Sequence, residues 1–249
     1  MNLNGTLIVC KDLLRNELWN TRALITIILF TIISLLSIYS ASIIPAIFQK
    51  NDISVNIGYI ASFLMLLLFG PIFVIAISYD IISKEIESGT IRFIIPKINR
   101  SSFVVGKFLG LNILFSLIIG IVYFIIYLYG TIYMQTYTPL YAVSSWFVLT
   151  LYFGFFVGLC LNISLLADSS STALTISLTL LIILLLFSTG FKYESLKYLS
   201  PTWYGFIGFE AVFSPKASNI QIVKSIAGLL SLITTSFGTL IFIMNRRDL

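Results

Sequence analysis

DIISKEIESGTIRFIIPKINRSSFVVGK, running from Asp80 to Lys107, separates two long apolar runs and holds five of the chain's fifteen basic residues and three of its ten acidic ones. A loop that only returned the chain to the next run would need neither this charge density nor the Gly89-Thr90 break and Pro96. On a helical projection Ile82, Ile86 and Phe93 fall together, while Asp80, Lys84 and Glu87 gather on the other side, so the stretch is locally amphipathic. Glycine is a poor helix-interior residue and a good stop, which predicts one helix ending near Ser88 and a second, short one starting at Thr90 and ended by Pro96. A short helix lying across the end of a bundle and held from both sides is a mechanical contact. Displacing it moves the spans on either side.

Working outward, the composition decides the class. The 249 residues are 58% hydrophobic and 10% charged, far too apolar for a soluble domain of this length. A hydrocarbon core of roughly 30 Å takes about 20 helical residues to cross. Six apolar runs qualify, at about 23–48, 57–79, 104–133, 146–166, 173–191 and 222–244. The expectation is an all-α integral membrane protein of six transmembrane helices, with residues 1–249 forming a single transmembrane domain. The net charge of +5 is therefore read through its distribution among loops and not as a nucleic-acid footprint. No histidine occurs, which removes the commonest metal ligand and acid-base group and leaves no catalytic residue, metal site or cofactor-binding residue to nominate. Cys10 and Cys160 lie in a polar segment and an apolar run, placements that keep them from meeting in a disulfide. Gly106-Lys107 is followed by Phe108 with no glycine five residues before, so it is no phosphate loop, and any ATP used is bound by another chain.

In chain order, Leu3, Leu7, Cys10, Leu14 and Leu18 make one narrow stripe beside Lys11, Arg15 and Arg22, the pattern of an interfacial helix with leucines down and basic side chains snorkelling. A cleaved signal peptide is the rival, but the run from Ala23 to Phe48 is too long and begins too late. Pro45 kinks or ends the first span near its outer end, and residues 49–56 form a short polar linker. Gly70-Pro71 predicts a kink in the second span, tolerated for packing or used as a hinge. Tyr123, Phe124, Tyr127, Tyr129 and Tyr133 crowd the outer half of the third span, as an interfacial aromatic belt or as a wall facing a translocated substrate. Asn112 and Ser116 share a face near its inner end. Residues 135–145 carry no charge and read as a short external turn.

Gly154, Gly158 and Asn162 form a four-spaced strip on the fourth span, suited to close helix approach with Asn162 bonding across it. Asn112, Tyr123, Tyr127 and Asn162 are the candidates for a translocation path. Asp168 and the hydroxyls after it are natural caps for a fifth span starting near Thr172. Between residues 192 and 221, Ser200-Pro201, Trp203 to Phe206 and Phe209 to Phe213 read as short helices at the outer surface with turn residues between them. Glu210, flanked by aromatics, reads as a solvated face or a substrate contact. Arg246 and Arg247 anchor the last span.

Ten Lys or Arg lie in the amino-terminal segment, the 80–107 region and the carboxyl terminus, against five elsewhere (Lys50, Lys192, Lys197, Lys216 and Lys224), which predicts both termini in the cytoplasm. Taken singly, Arg92, Lys97 and Arg100 are explained as positive-inside anchors. Their order within the stretch carries more. Glu85 or Glu87 followed by Gly89-Thr90, the apolar patch Ile91 to Ile95 containing Arg92 and Phe93, then Pro96, Arg100 and Gly106-Lys107 together resemble the permease subunits of type-2 ATP-binding-cassette exporters. The amphipathic start, Ser200-Pro201 and the terminal Arg-Arg-Asp extend the resemblance.

The resemblance implies an amino-terminal elbow helix, a cytoplasmic coupling helix between spans two and three, and surface or re-entrant helices between spans five and six. It also implies a partner ATPase subunit that binds ATP and docks on Glu85, Glu87, Gly89, Thr90, Ile91, Arg92, Phe93, Pro96 and Arg100. A second permease copy or paralogue is implied as well, in a prokaryotic cell membrane. The rival is a stand-alone gradient-driven carrier or channel, which needs ionisable or unwound sites near mid-membrane. No Asp, Glu, Lys or Arg lies near the middle of any apolar run.

Overall fold

The computed structural model describes residues 3–43, 57–94, 98–133, 139–189, 198, 200–214 and 219–247. Pro45, the 49–56 linker, Ile95, Pro96, Lys97, Leu199 and Asp248 lie outside the described residues, as do residues 134–138, 190–197 and 215–218. The described elements are all helical: α1 Leu3–Leu18, α2 Thr21–Ile43, α3 Ile57–Ser78, α4 Ser83–Glu87, α5 Ile91–Ile94, α6 Arg100–Tyr133, α7 Pro139–Leu166, α8 Ser170–Thr189, α9 Pro201–Phe213 and α10 Asn219–Arg246. Among the described residues, four stretches are long and apolar enough to cross a membrane, namely Tyr59–Glu87, Arg100–Tyr129, Pro139–Leu166 and Ile220–Arg246. The α1–α2 pair, bent by 66°, makes a fifth if counted as one span, and Ser170–Leu186 of α8 is apolar but shorter.

α6 carries its membrane register on its surface. Leu109, Ile113, Leu117, Ile121, Phe124, Leu128 and Ile132 are all exposed and recur every three or four residues, forming one apolar stripe. At 1.5 Å per residue the stripe is roughly 35 Å long, enough to cover a hydrocarbon core of about 30 Å. Leu24, Ile25, Ile28, Leu29, Ile32 and Leu36 make a similar exposed face on α2. In water such faces would be an aggregation hazard, and against lipid they are the expected surface.

α7 is the central helix. It touches α3, α4, α6, α8, α9 and α10, and its side chains are buried almost continuously from Val148 to Leu165. A chain of rings, Phe73 to Phe30 (4.8 Å between centroids), Phe30 to Phe153 (6.2 Å) and Phe153 to Phe115 (6.1 Å), links α3, α2, α7 and α6 through the core. The expected strip on α7 does pack closely. Asn162 Nδ2 donates both to the Gly158 carbonyl of its own helix and to the Ser236 carbonyl of α10, each at 2.8 Å. A Cβ added at Gly154 would stand 2.7 Å from Asn112 Oδ1 of α6.

Pro71 sits inside α3, which continues through it. Proline has no N–H to give the carbonyl four residues back, that of Leu67. Tyr152 of α7 supplies the missing donor, its Oη 3.0 Å from the Leu67 carbonyl oxygen and buried. Gly70 makes room for the Phe153 ring beside it. The gap left by the proline is thus closed by the neighbouring helix, as non-aqueous surroundings require.

Three expectations change. The stripe on α1 is divided. Its buried face is Gly5, Thr6, Val9, Cys10 and Leu13, which lie on α6, whereas Leu3 and Leu7 are exposed. The contact is set by Gly106 and Gly110 of α6, because a Cβ at Gly106 would come within 2.7 Å of Val9 Cβ and 2.8 Å of the Thr6 carbonyl oxygen. Second, α7 begins at Pro139, so much of the stretch read as an external turn is helix. Third, the pieces between residues 201 and 213 are one helix, α9, started by Pro201 after Ser200. Gly208, which fell between two of these pieces, and Gly205 inside one of them are close-packing points: a Cβ at Gly205 would lie 2.8 Å from Leu67 Cδ1, and one at Gly208 would lie 2.7 Å from both Val148 Cγ1 and Ser225 Oγ. α9 therefore reaches into the bundle to the level of the Pro71 interruption, with Phe63 against Phe209 and Phe213.

A candidate coupling site at the charged end of the bundle

α3 stops at Ser78 and the chain turns through Tyr79–Ile82 before α4 begins. A helix start leaves backbone N–H groups without intrahelical acceptors. Here a side chain from another helix receives them: Ser164 Oγ of α7 accepts from Ile82 N at 3.1 Å and Ser83 N at 2.9 Å, and its own hydrogen points to Ser83 Oγ at 3.3 Å. Ser83 and Ser164 are both fully buried. α4 is thereby pinned to the central helix.

Three further links hold the same segment. Arg22 at the start of α2 pairs with Asp80 at 2.8 Å, and that carboxylate is mostly buried. Lys107 of α6 pairs with Glu85 at 2.7 Å, with both side chains largely withdrawn from solvent. Glu87 Oε2 accepts from the Ser170 backbone N–H at 3.1 Å and from the Ser170 hydroxyl at 2.8 Å, capping the first turn of α8. A carboxylate at a helix N-terminus meets both free donors and the positive end of the helix dipole. The Ser170 hydroxyl, and after it the Ser170 N–H, hold the Glu87 carboxyl below its ordinary value of 4.5.

Gly89 then reverses the chain with φ of +69°, a left-handed conformation open to glycine and strained for most L-residues. Thr90 closes the turn by donating from Oγ1 to the Glu85 carbonyl at 3.2 Å, with Ser88 Oγ 2.9 Å from Thr90 Oγ1. After this turn the faces no longer follow one helical projection. Ile82 and Ile91 are buried, whereas Phe93, placed with Ile82 and Ile86 on a continuous helix, is 77% exposed. Arg92 beside it is exposed too, with no ion-pair partner among the described residues.

Other charged groups at this end tie its edges together. Arg100 Nη1 donates to the Arg247 carbonyl at 2.9 Å, and Arg247 Nη2 pairs with Asp168 at 2.8 Å in the turn between α7 and α8. Asp168, read with the hydroxyls after it as a cap for α8, instead holds Arg247, whereas Ser169 of that run does cap the helix, its Oγ accepting from Thr172 N at 3.4 Å, while Glu87 takes the Ser170 N–H.

The residues nominated for docking therefore divide into groups. Glu85, Glu87 and Arg100 are engaged within the chain, Gly89 and Thr90 form the turn, Ile91 is buried, and Arg92 and Phe93 project outward. Arg22, Asp80, Lys107, Ser164, Ser170 and Arg247 complete the site and were not nominated. Arg22 and Arg247 read from sequence only as membrane anchors, Lys107 entered the ordered pattern without a partner, and Ser164 is one hydroxyl in an apolar run. Of the four path candidates, two come together and two lie elsewhere. Tyr123, buried and stacked on Tyr59 at 6.2 Å between centroids, and Tyr127 both line an apolar cavity of about 220 Å³ between α6 and α7, together with Trp146. Asn112 and Asn162 lie half-buried along the seams of α7 with α6 and α10, Asn112 Nδ2 bonding its own helix at Phe108 O, 2.8 Å.

Among known proteins, the family model described as ABC-2 family transporter protein matches residues 8–244. No curated protein matches the chain.

Proposed function

The chain belongs to the ABC-2 transporter family, the membrane permease component of ATP-binding-cassette transporters, and from that premise we propose that it is the permease of an exporter driven through its 79–94 segment. In this reading α2, α3, α6, α7, α8 and α10 are six spans, α1 is the elbow, α9 is a re-entrant helix, and both termini face the cytoplasm. A separate ATPase subunit binds ATP. Two permease copies, identical or paralogous, enclose the path.

One observation carries the reading: an exposed tip, Arg92 and Phe93, is borne by a segment fastened to four different spans. A partner gripping an aromatic side chain in a pocket, with an arginine beside it, has the usual composition of an interface anchor. Closure of the ATPase moves the tip. Ser164, Arg22, Lys107 and Ser170 then carry that displacement into α7, α2, α6 and α8, because ion pairs and caps of this kind resist independent sliding. The work enters from the partner, so the permease needs only two packings of similar free energy that partner contacts bias.

The test is co-purification of the ATPase with tip variants. Phe93→Ala is expected to lower ATPase recovery about tenfold, the loss of roughly 1.4 kcal/mol or more typical of an anchoring aromatic. Glu85→Ala and Glu87→Ala, which loosen the segment without removing the tip, are expected to weaken docking less while membrane insertion stays intact. Undiminished ATPase recovery with Phe93→Ala contradicts the reading.

A further inference from the structure

The apolar cavity of about 220 Å³ between α6 and α7 lies in the half of the bundle away from the charged end. Its level follows from the helix register. From Lys107 at the charged end to Gly120 and Tyr127, between which α6 lines the cavity, the rise is roughly 20 to 30 Å, so the cavity sits beside the far half of the exposed Leu109–Ile132 stripe.

The space stays open because small residues stand next to rings that are held in place. Gly120 of α6 has no side chain, and Ala142 of α7 has a single methyl. Trp146 is kept from swinging inward by its Nε1–H, which donates to the Ser116 carbonyl at 2.9 Å and holds the indole along α6. Tyr123 is fixed on the other side, buried and stacked on Tyr59. Interiors pack densely, so a space of this size kept open by pinned rings calls for an occupant.

Two of three occupants fail. Water needs two to four polar partners, whereas this lining holds no charged side chain and its indole N–H is already spent. Apolar cavities of about 150 Å³ stay dry and take up benzene instead. A side chain from a second copy would need its helix to come close, and membrane helices come close over small residues. The mouth is instead rimmed by Phe124 and Val143, 60% and 58% exposed, and Phe124 belongs to a stripe made of Leu, Ile and Phe alone. Such a surface faces lipid.

We propose that the cavity is a binding site for the hydrocarbon chain of a membrane lipid, entered sideways from the bilayer past Phe124 and Val143. Recognition is by shape and apolar contact, so the site takes the chain whatever headgroup carries it. The chain end lies among Tyr123, Tyr127 and Trp146, where contact atoms are otherwise missing. The inference rests on the membrane placement of the protein and is independent of the ATPase contact.

The experiment uses the full-length chain in phosphatidylcholine vesicles. Trp146 becomes the sole reporter once Trp19→Phe and Trp203→Phe remove the other two tryptophans. Lipid brominated along its acyl chains is expected to quench Trp146 fluorescence relative to unbrominated lipid. Adding Ala142→Leu is expected to reduce that quenching roughly twofold without lowering the unfolding temperature, because the leucine takes up volume that the chain end would occupy. A control tryptophan on the stripe, Ile113→Trp with Trp146→Phe, is expected to be quenched equally with and without Ala142→Leu. Undiminished quenching of Trp146 in the filled variant overturns the proposal. So does quenching that disappears as the protein-to-lipid ratio rises, which gives the cavity to a second copy.

A second measurement needs no substitution. Phosphatidylcholine carrying a diazirine in its acyl chain, irradiated with the unaltered protein, is expected to label Tyr123, a buried ring on the cavity wall, and phosphatidylglycerol with the same acyl chain is expected to label it equally. Adducts confined to the exposed stripe, or labelling of Tyr123 with one headgroup only, would overturn the proposal.

Discussion

Ser164 receives two backbone N–H groups from another helix, and Glu87 gives one carboxylate oxygen to the first turn of α8, so each joins the 79–94 segment to a long apolar helix through backbone donors. Ser164→Ala removes the acceptor and leaves both N–H groups buried and unpaired, a loss expected to be about 1–3 kcal/mol. A lowered unfolding temperature in detergent checks it, and a variant as stable as the parent would mean that the segment finds other acceptors. For Glu87 the expectation concerns pH. Its carboxyl is held below 4.5 by the Ser170 hydroxyl and N–H, so the cap is complete above that value and is lost as pH falls through the depressed one. Hydrogen exchange in the first turn of α8 should therefore quicken on acidification beyond the intrinsic trend, and Glu87→Gln should remove that extra dependence.

At the scale of elements, the seam between α1 and α6 rests on Gly106 and Gly110, which let the two backbones approach. Gly106→Val places carbon where Val9 and the Thr6 carbonyl stand, and is expected to cost about 1–3 kcal/mol by overpacking and to loosen α1. A disulfide engineered between α1 and α6, which forms readily in the parent, should form slowly in this variant. The same seam explains why the stripe on α1 was misjudged from sequence. Lipid chains and protein interiors are equally apolar, so hydropathy cannot separate a leucine facing one from a leucine facing the other. Residue size can, and the glycines four apart at the start of α6 were the available signal.

For the whole molecule, the long apolar runs and their punctuation were legible, as was the turn at Gly89, because chain length against bilayer thickness and backbone sterics are local properties. The family was legible through the order of residues from Glu85 to Lys107. What could not be read was partnership: Arg22 with Asp80, Lys107 with Glu85 and Ser164 with Ile82 join positions 58, 22 and 82 residues apart. Charge near a span end looks the same in sequence whether it anchors to headgroups or locks two helices. Phe93 was misplaced for a related reason, since one residue at positive φ resets every face after it.

The central claim is that the Arg92–Phe93 tip is where the ATPase takes hold. A photo-crosslinking amino acid at Phe93, irradiated in intact membranes with Phe124 on the lipid-facing stripe as the control position, addresses it directly. The account predicts an adduct at position 93 that mass spectrometry identifies as a nucleotide-binding ATPase subunit, and none at 124. Lipid adducts alone at position 93, or an ATPase adduct at 124 instead, would contradict it.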